Sequence, residues 1–327
     1  MQQRHQNDLD GLNWIHKFGW LGSHHLGQLL WPGNASARHQ ADRLVRSWVT
    51  RQLVIVRDLP ERHGRVFVLS AVGARLLTAN GVPATSGKDF GETRGQVWTP
   101  PSTWRHDQLA ADVLVKLYLL DFDVLPEPHL RRNVGAAAKL PDGLAVRDGE
   151  VVHLEVELAR KTGASMRHQA EALCAVSEGA APRIMGLRPT HAMVAFLEDQ
   201  QDERGHTLSH RTRVSRAVAA AARRAVPLTW ACCTGNSPST RVIRFSDDLI
   251  EADRAAPILR RLEASGWRPE TGVLTSNYGS RQVFVWEDED TGCWAWQVDN
   301  LPAGWVETLT AAKRSCAEQL AALAQRN

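Results

Sequence analysis

The chain has 327 residues, 43% of them hydrophobic and 23% charged, which suits about two or three packed domains and excludes global disorder. Lys and Arg total 39 against 36 for Asp and Glu, so the net charge of +3 identifies no ligand by itself. The apolar runs around Leu117–Leu120 and Val218–Ala222 are too short to span a bilayer, and the five cysteines show no C-x-x-C spacing, which argues against a membrane span, a disulfide framework and a thiolate zinc site.

The start MQQRHQNDLD has no apolar core of a secretory signal, so a reducing cytoplasm is the expected location. Charge is unevenly distributed. Residues 1–80 hold ten Lys/Arg and five Asp/Glu, a balance of +5, leaving −2 for the remainder. A basic front section on a mildly acidic body is the pattern of a nucleic-acid-binding module joined to something else.

In chain order, Leu9–Phe18 has a short helical stripe at Leu12, Ile15 and Phe18. Ser23 is the expected N-cap of a second helix through Leu26, Leu29 and Leu30, and Trp31-Pro32-Gly33-Asn34 reads as a turn. Ser36 is the expected cap of a third helix, whose stripe Ala37, Ala41, Leu44, Val45, Trp48 and Val49 leaves Arg38, Arg43 and Arg46 largely outside. Two strands, Leu53–Val56 and Val66–Leu69, flank a basic loop, and Ala71–Leu77 closes the section as a helix. This is the order of a winged helix-turn-helix over residues 1–81. Its third helix would enter the major groove, while Arg57, Arg62 and Arg65 reach phosphates. A dimerisation or scaffold domain of the same shape is the bland alternative.

Residues 82–103, rich in Gly, Pro, Ser and Thr, read as a linker. A helix follows from Thr103 through Leu109, Val113 and Leu117, then a strand-like segment from Val124 to Arg132. Residues 141–158 form an expected hairpin turning at Asp148-Gly149. On its second strand, His153, Glu155 and Glu157 share one face and Val152, Leu154 and Val156 the other. In a half-buried strand these acids would simply face solvent. Asp142, at the start of the adjoining strand, can instead lie beside Glu155. Two carboxylates there, with Lys161 or Arg160 downstream, would suit a hard divalent cation that orients water against a phosphodiester.

Pro141-Asp142 followed by Glu155-Val156-Glu157 and a basic residue resembles the PD-(D/E)xK nuclease-like core. With residues 1–80 in front, the chain resembles the replication-relaxation family of plasmid and integrative-element mobilisation proteins over roughly residues 10–235. Trp104-Arg105-His106, Glu127 and Leu130-Arg131-Arg132 match further parts of its pattern. The resemblance implies an α/β fold with a winged helix, a restriction-endonuclease-like mixed-sheet core over residues 104–240 and an α+β extension over 241–327. It implies Asp142, Glu155, Glu157 and Lys161 as catalytic residues, and Asp142 and Glu155 as ligands of Mg²⁺ if the core is active. The implied partners are double-stranded DNA at a transfer or replication origin, and relaxosome or replication proteins, with no membrane. One departure is plain: Glu157 stands where the strict pattern has lysine, and Lys161 lies four residues further on. The alternatives are a non-catalytic accessory factor or regulator with a degenerate core, and a protein-interaction module whose arginines are incidental.

The rest of the core is expected as a helix at Ser165–Val176, a strand at Thr190–Leu197, a basic helix at Leu208–Ala225 and a strand at Pro227–Cys233. The last hundred residues carry a helix at Asp253–Ser265, strands around Gln282–Trp286 and Cys293–Val298, and a terminal helix at Val306–Ala324, with no chemistry of their own.

Overall fold

A computed structural model of the protein describes residues 2–95, 97–134, 140–159, 161, 163–198, 209–235, 237–251, 253, 255–270, 272–288 and 291–324. The chain forms two compact units, one of residues 1–161, 175–211 and 227–248, the other of 162–174, 212–226 and 249–327.

The first unit opens with α1 (Gln2–Phe18), a two-residue strand β1 (Leu21–Gly22), α2 (Ser23–Leu30) and α3 (Ala37–Thr50). Helix α1 starts two turns before the stripe that identifies it, because its first residues are polar throughout. Gly27 lets α2 lie directly on the start of α3: a Cβ there would sit 2.8 Å from the carbonyl carbon of Ala37. Neither expected serine cap forms. Gly22 is the N-cap of α2, and Ser36 precedes α3 without a side-chain cap bond. Buried Trp48 of α3 gives its Nε1–H to Asp8 Oδ1 of α1 at 2.7 Å, and Arg51 takes the other Asp8 oxygen at 2.8 Å.

Strands β2 (Val54–Asp58) and β3 (Arg65–Leu69) pair antiparallel and join β1 in the order β1-β3-β2. Helix α4 (Ala71–Ala79) follows, with Ser70 Oγ accepting from Gly73 N at 3.0 Å as an N-cap should.

Residues 82–103, expected as a linker, hold a short hairpin of β4 (Glu92–Arg94) and β5 (Val97–Thr99). Gly87 N donates to Leu69 O at 2.8 Å, and Trp98 packs with Phe90 in a cluster with buried Trp20 and Trp104. Composition alone hides this, because only two aromatic residues anchor the segment.

Helix α5 (Trp104–Tyr118) leads to β6 (Asp123–Pro126). The strand-like reading of Val124–Arg132 needs correcting: the strand ends at Pro126, and Glu127–Val134 is helix α6. Pro128 sits in its first turn, where a missing N–H costs nothing. Strands β7 (Gly143–Arg147), β8 (Glu150–Glu157), β9 (His191–Leu197), β10 (Val226–Thr234) and β11 (Val242–Ile250), with β6, make a six-stranded mixed sheet in the order β11-β10-β9-β8-β7-β6. Strands β6, β7 and β8 are antiparallel neighbours, while β8, β9 and β10 run parallel. The apolar face of β8 (Val152, Leu154, Val156) packs in one core with Leu109, Val113 and Leu117 of α5. Its other face is buried too, with Glu155 and Glu157 only 5% and 0% exposed, so the reading of a half-solvated strand does not hold. A central strand of a mixed sheet is commonly covered on both sides.

Helices α7 (Gly163–Ser177) and α8 (His210–Ala221) complete the middle of the chain. The polar stretch 199–208, with the expected start of α8 at Leu208, lies outside the described residues. The second unit carries α9 (Ala255–Ser265), an antiparallel sheet β12 (Arg268–Glu270), β13 (Val273–Tyr278), β14 (Arg281–Glu287), β15 (Trp294–Val298) and β16 (Gly304–Val306), and α10 (Leu309–Ala324). Its core joins Ile258 and Leu262 to Val283, Val285, Val298 and Cys316. No helix of the described residues is long and apolar enough to cross a membrane.

Candidate functional site

The β7–β8 register pairs Gly143 with Leu154, which places Asp142 alongside Glu155 at the mouth of the hairpin. Asp142 N donates to Leu154 O at 3.0 Å, while its side-chain Oδ2 accepts the Val156 N–H at 2.6 Å. The carboxylate thus replaces a main-chain acceptor where β7 has run out. The same oxygen lies 3.3 Å from His106 Nε2 on α5, and His106 Nδ1 is 3.3 Å from Asp107 Oδ1. Burial disfavours charge on His106, but the hydrogen bonds to Asp107 and Asp142 prevail and raise its pKa to about 10.

The other acids take different partners. Glu155 Oε1 is 3.0 Å from His153 Nε2 on its own strand, and Lys161 Nζ is 3.1 Å from Glu157 Oε2. The four expected catalytic residues therefore fall into three pairs: Asp142 with His106, Glu155 with His153, and Glu157 with Lys161. His153 is already placed on the face of Glu155 by strand alternation, but nothing in the sequence pairs His106 with Asp142. The partner of Asp142 sits on a helix 36 positions upstream, and only the tertiary contact reveals it. Arg160 lies outside the described residues.

The arginines of the front section also divide. Arg38, Arg43 and Arg46 are all exposed on α3, with Ala37, Ala41, Val45 and Trp48 turned inward. Arg38, Arg46 and Arg65 line a cleft of about 830 Å³ bounded by α2, α3, the β2–β3 hairpin, Gln108 of α5 and residues 237–239. Arg65 also reaches Asp58 across the hairpin, at 3.2 Å. The Arg57 guanidinium lies 5.4 Å from the Trp98 ring centre. The Arg62 side chain lies outside the described residues.

One buried network ties this section to the sheet. His25 Nε2 of α2 lies 2.6 Å from Asp112 Oδ1 of α5, and Asp112 Oδ2 accepts from Arg241, just before β11. All three side chains are nearly inaccessible. Beside them, burial and the neighbouring His25 hold His24 down to a pKa of about 4, with Arg38 adding to the effect and Asp112 opposing it. Burial lowers His63 as well, and Arg105 reinforces that. Asp42 lines the cleft together with Arg38, Arg46 and Arg65. Sequence reasoning did not find it, since its walls come from five separated segments.

No family model, curated protein or solved structure matches this chain.

Proposed function

We propose that the protein is a DNA-binding factor of plasmid or mobile-element replication and mobilisation, as the replication-relaxation resemblance implies. In this reading α1–α4 and the β2–β3 hairpin act as a winged helix-turn-helix, and α3 enters the major groove of an origin. The observation that carries it is the exposure of Arg38, Arg43 and Arg46 on α3 outside its packed stripe, with Arg65 on the adjacent hairpin. The element order and the three-stranded β1-β3-β2 sheet support the same reading. Relaxosome or replication proteins are the proposed further partners. An electrophoretic shift with plasmid DNA over a salt series tests it: a salt-sensitive shift is expected, abolished by Arg43→Ala with Arg46→Ala. No shift at low salt would sink the proposal.

A second reading is nuclease activity in a PD-(D/E)xK-like core. It is favoured by the sheet order from β6 to β10, by Asp142 at the entrance to β7 and by Lys161 beside Glu157. Asp142 and Glu155 offer the hard oxygen donors that Mg²⁺ takes. In this arrangement, however, Asp142 Oδ2 is engaged by Val156 N–H and His106, and no group of three or more His, Cys, Asp or Glu among the described residues could hold a metal ion. As placed, Asp142 and Glu155 take His106 and His153 as partners and do not assemble such a site. Supercoiled plasmid with Mg²⁺ separates the two readings. Nicking that is lost in Asp142→Ala would establish the nuclease, whereas intact plasmid with a retained shift would leave an accessory DNA-binding factor.

A further inference from the structure

The cleft beside α3 has a size and a chemistry that duplex binding does not account for. At about 830 Å³ it falls in the range, roughly 300–1,000 Å³, of pockets that enclose a small molecule. Four kinds of wall meet in it. Arg38 and Arg46 line one side, and neither has an ion-pair partner among the described residues. The first turn of α2 opens into the same space with Gly22 as its N-cap, so no capping side chain takes its N–H groups, which point their partial positive charge at whatever enters. Val49, Val56 and Phe67 supply an apolar strip, and Ser237 and Ser239 bring hydroxyls from the loop after β10.

The remaining feature is His25, which lines the cleft while its side chain is only 2% exposed. Its Nε2 is fixed on Asp112, yet its Nδ1 has no hydrogen-bond partner among the described residues. A buried ring nitrogen without a partner carries a desolvation cost that a ligand's polar group would remove.

We infer that this cleft binds a nucleoside phosphate. Arg38, Arg46 and the amide end of α2 hold the phosphate, Val49 and Val56 receive the sugar or base, and His25 Nδ1 and the serine hydroxyls meet its polar edge. The ligand has two sources, a free nucleotide or one nucleotide of a single strand. The site shares Arg38 and Arg46 with the proposed duplex contacts, but Gln108, Ser237 and Ser239 belong to the sheet side of the unit and not to α3 or the hairpin, so a substitution there separates nucleotide from duplex binding.

Calorimetric titration of the full chain tests it, with ADP, inorganic phosphate and a short single-stranded oligonucleotide as probes. Arg38→Ala should weaken binding about tenfold, the usual loss for one hydrogen bond to a charged group. Ser239→Trp, at an exposed position on the opposite wall, should block the cleft with the fold unchanged by circular dichroism. Arg75→Ala, at an exposed position of α4 away from the cleft lining, should leave nucleotide binding unchanged. ADP bound and then lost in Ser239→Trp assigns a free nucleotide, and an oligonucleotide bound without ADP and lost in the same variant assigns a strand. If none of the three probes binds, if inorganic phosphate alone binds, or if Ser239→Trp binds as the parent does, the inference is overturned. A duplex shift that persists in that case leaves the DNA-binding proposal standing. Nucleotide binding without a duplex shift leaves the cleft as a nucleotide site and removes the DNA-binding proposal.

Discussion

His25 and Asp112 meet at 2.6 Å across 87 positions of sequence, joining α2 of the front section to α5 beneath the sheet. Asp112 is the only carboxylate in contact with both His25 and Arg241 among the described residues, and both of these partners sit in near-complete burial. Asp112→Ala would leave Arg241 buried without its counter-charge. A loss of about 3–5 kcal/mol is expected, the usual cost of breaking a buried pair from one side. Urea unfolding, with the midpoint falling at unchanged slope, is the measurement, and an unchanged midpoint would refute the account.

Asp142 has a structural task as well as any chemical one. Asp142→Ala removes the acceptor of the Val156 N–H and should cost about 1–3 kcal/mol, the desolvation penalty of an orphaned buried donor. Asp142→Asn keeps an acceptor oxygen and should recover most of that stability, but it removes the charge that favours protonated His106. Imidazole titration by NMR should then show a lower pKa for His106 in the Asn variant than in the parent. Equal values would show that Asp107 alone sustains the shift.

The His106 pair also sets a pH dependence. Its folded pKa, raised to about 10 from 6.5, means that the native state holds a proton the unfolded chain releases first. The stability this contributes is fully present below 6.5 and declines as pH rises through that window to about 10. The gap in unfolding free energy between the parent and His106→Asn should therefore shrink from neutral to alkaline pH. A gap that widened would reverse the assignment.

Contacts from α3 to a duplex should show in the salt dependence of binding. Each phosphate contact contributes roughly 0.9 to the slope of log affinity against log salt. Losing the side chain of either Arg43 or Arg46 should lower that slope by about 1, whereas Arg57→Ala should leave it unchanged because Arg57 lies against Trp98. A slope that falls with Arg57→Ala would place that residue on the DNA.

Much of the secondary structure is legible in periodicity. Helix α3 announces itself through Ala37, Ala41, Val45 and Trp48, and β9 through its apolar run His191–Leu197. Strand β11 escapes such a reading, since Arg244, Ser246, Asp247 and Asp248 interrupt any alternation and most of the strand lies open at the sheet edge. The hairpin of β7 and β8 is legible, and with it the position of Asp142 beside Glu155. The partners of the acids are not. His106 reaches Asp142 from a different element, and the burial of Glu155 and Glu157 depends on both faces of β8 being covered, which alternation along one strand does not encode. The arginine count likewise says nothing of which guanidiniums face solvent: Arg43 does, while Arg241 is sealed against Asp112.

The segment between residues 82 and 103 has a practical meaning for anyone dissecting the protein. Ser86 and Gly87 are bonded to Leu69, Trp98 rests on Phe90 beside Trp20, and Glu61 pairs with Arg105 across the segment. A fragment cut after residue 81 would strip the Trp20 side of its aromatic cover and leave His25 without Asp112. The front section is not a detachable cassette: fusions, domain swaps and protease-trimmed fragments should be designed to keep at least α5 with it.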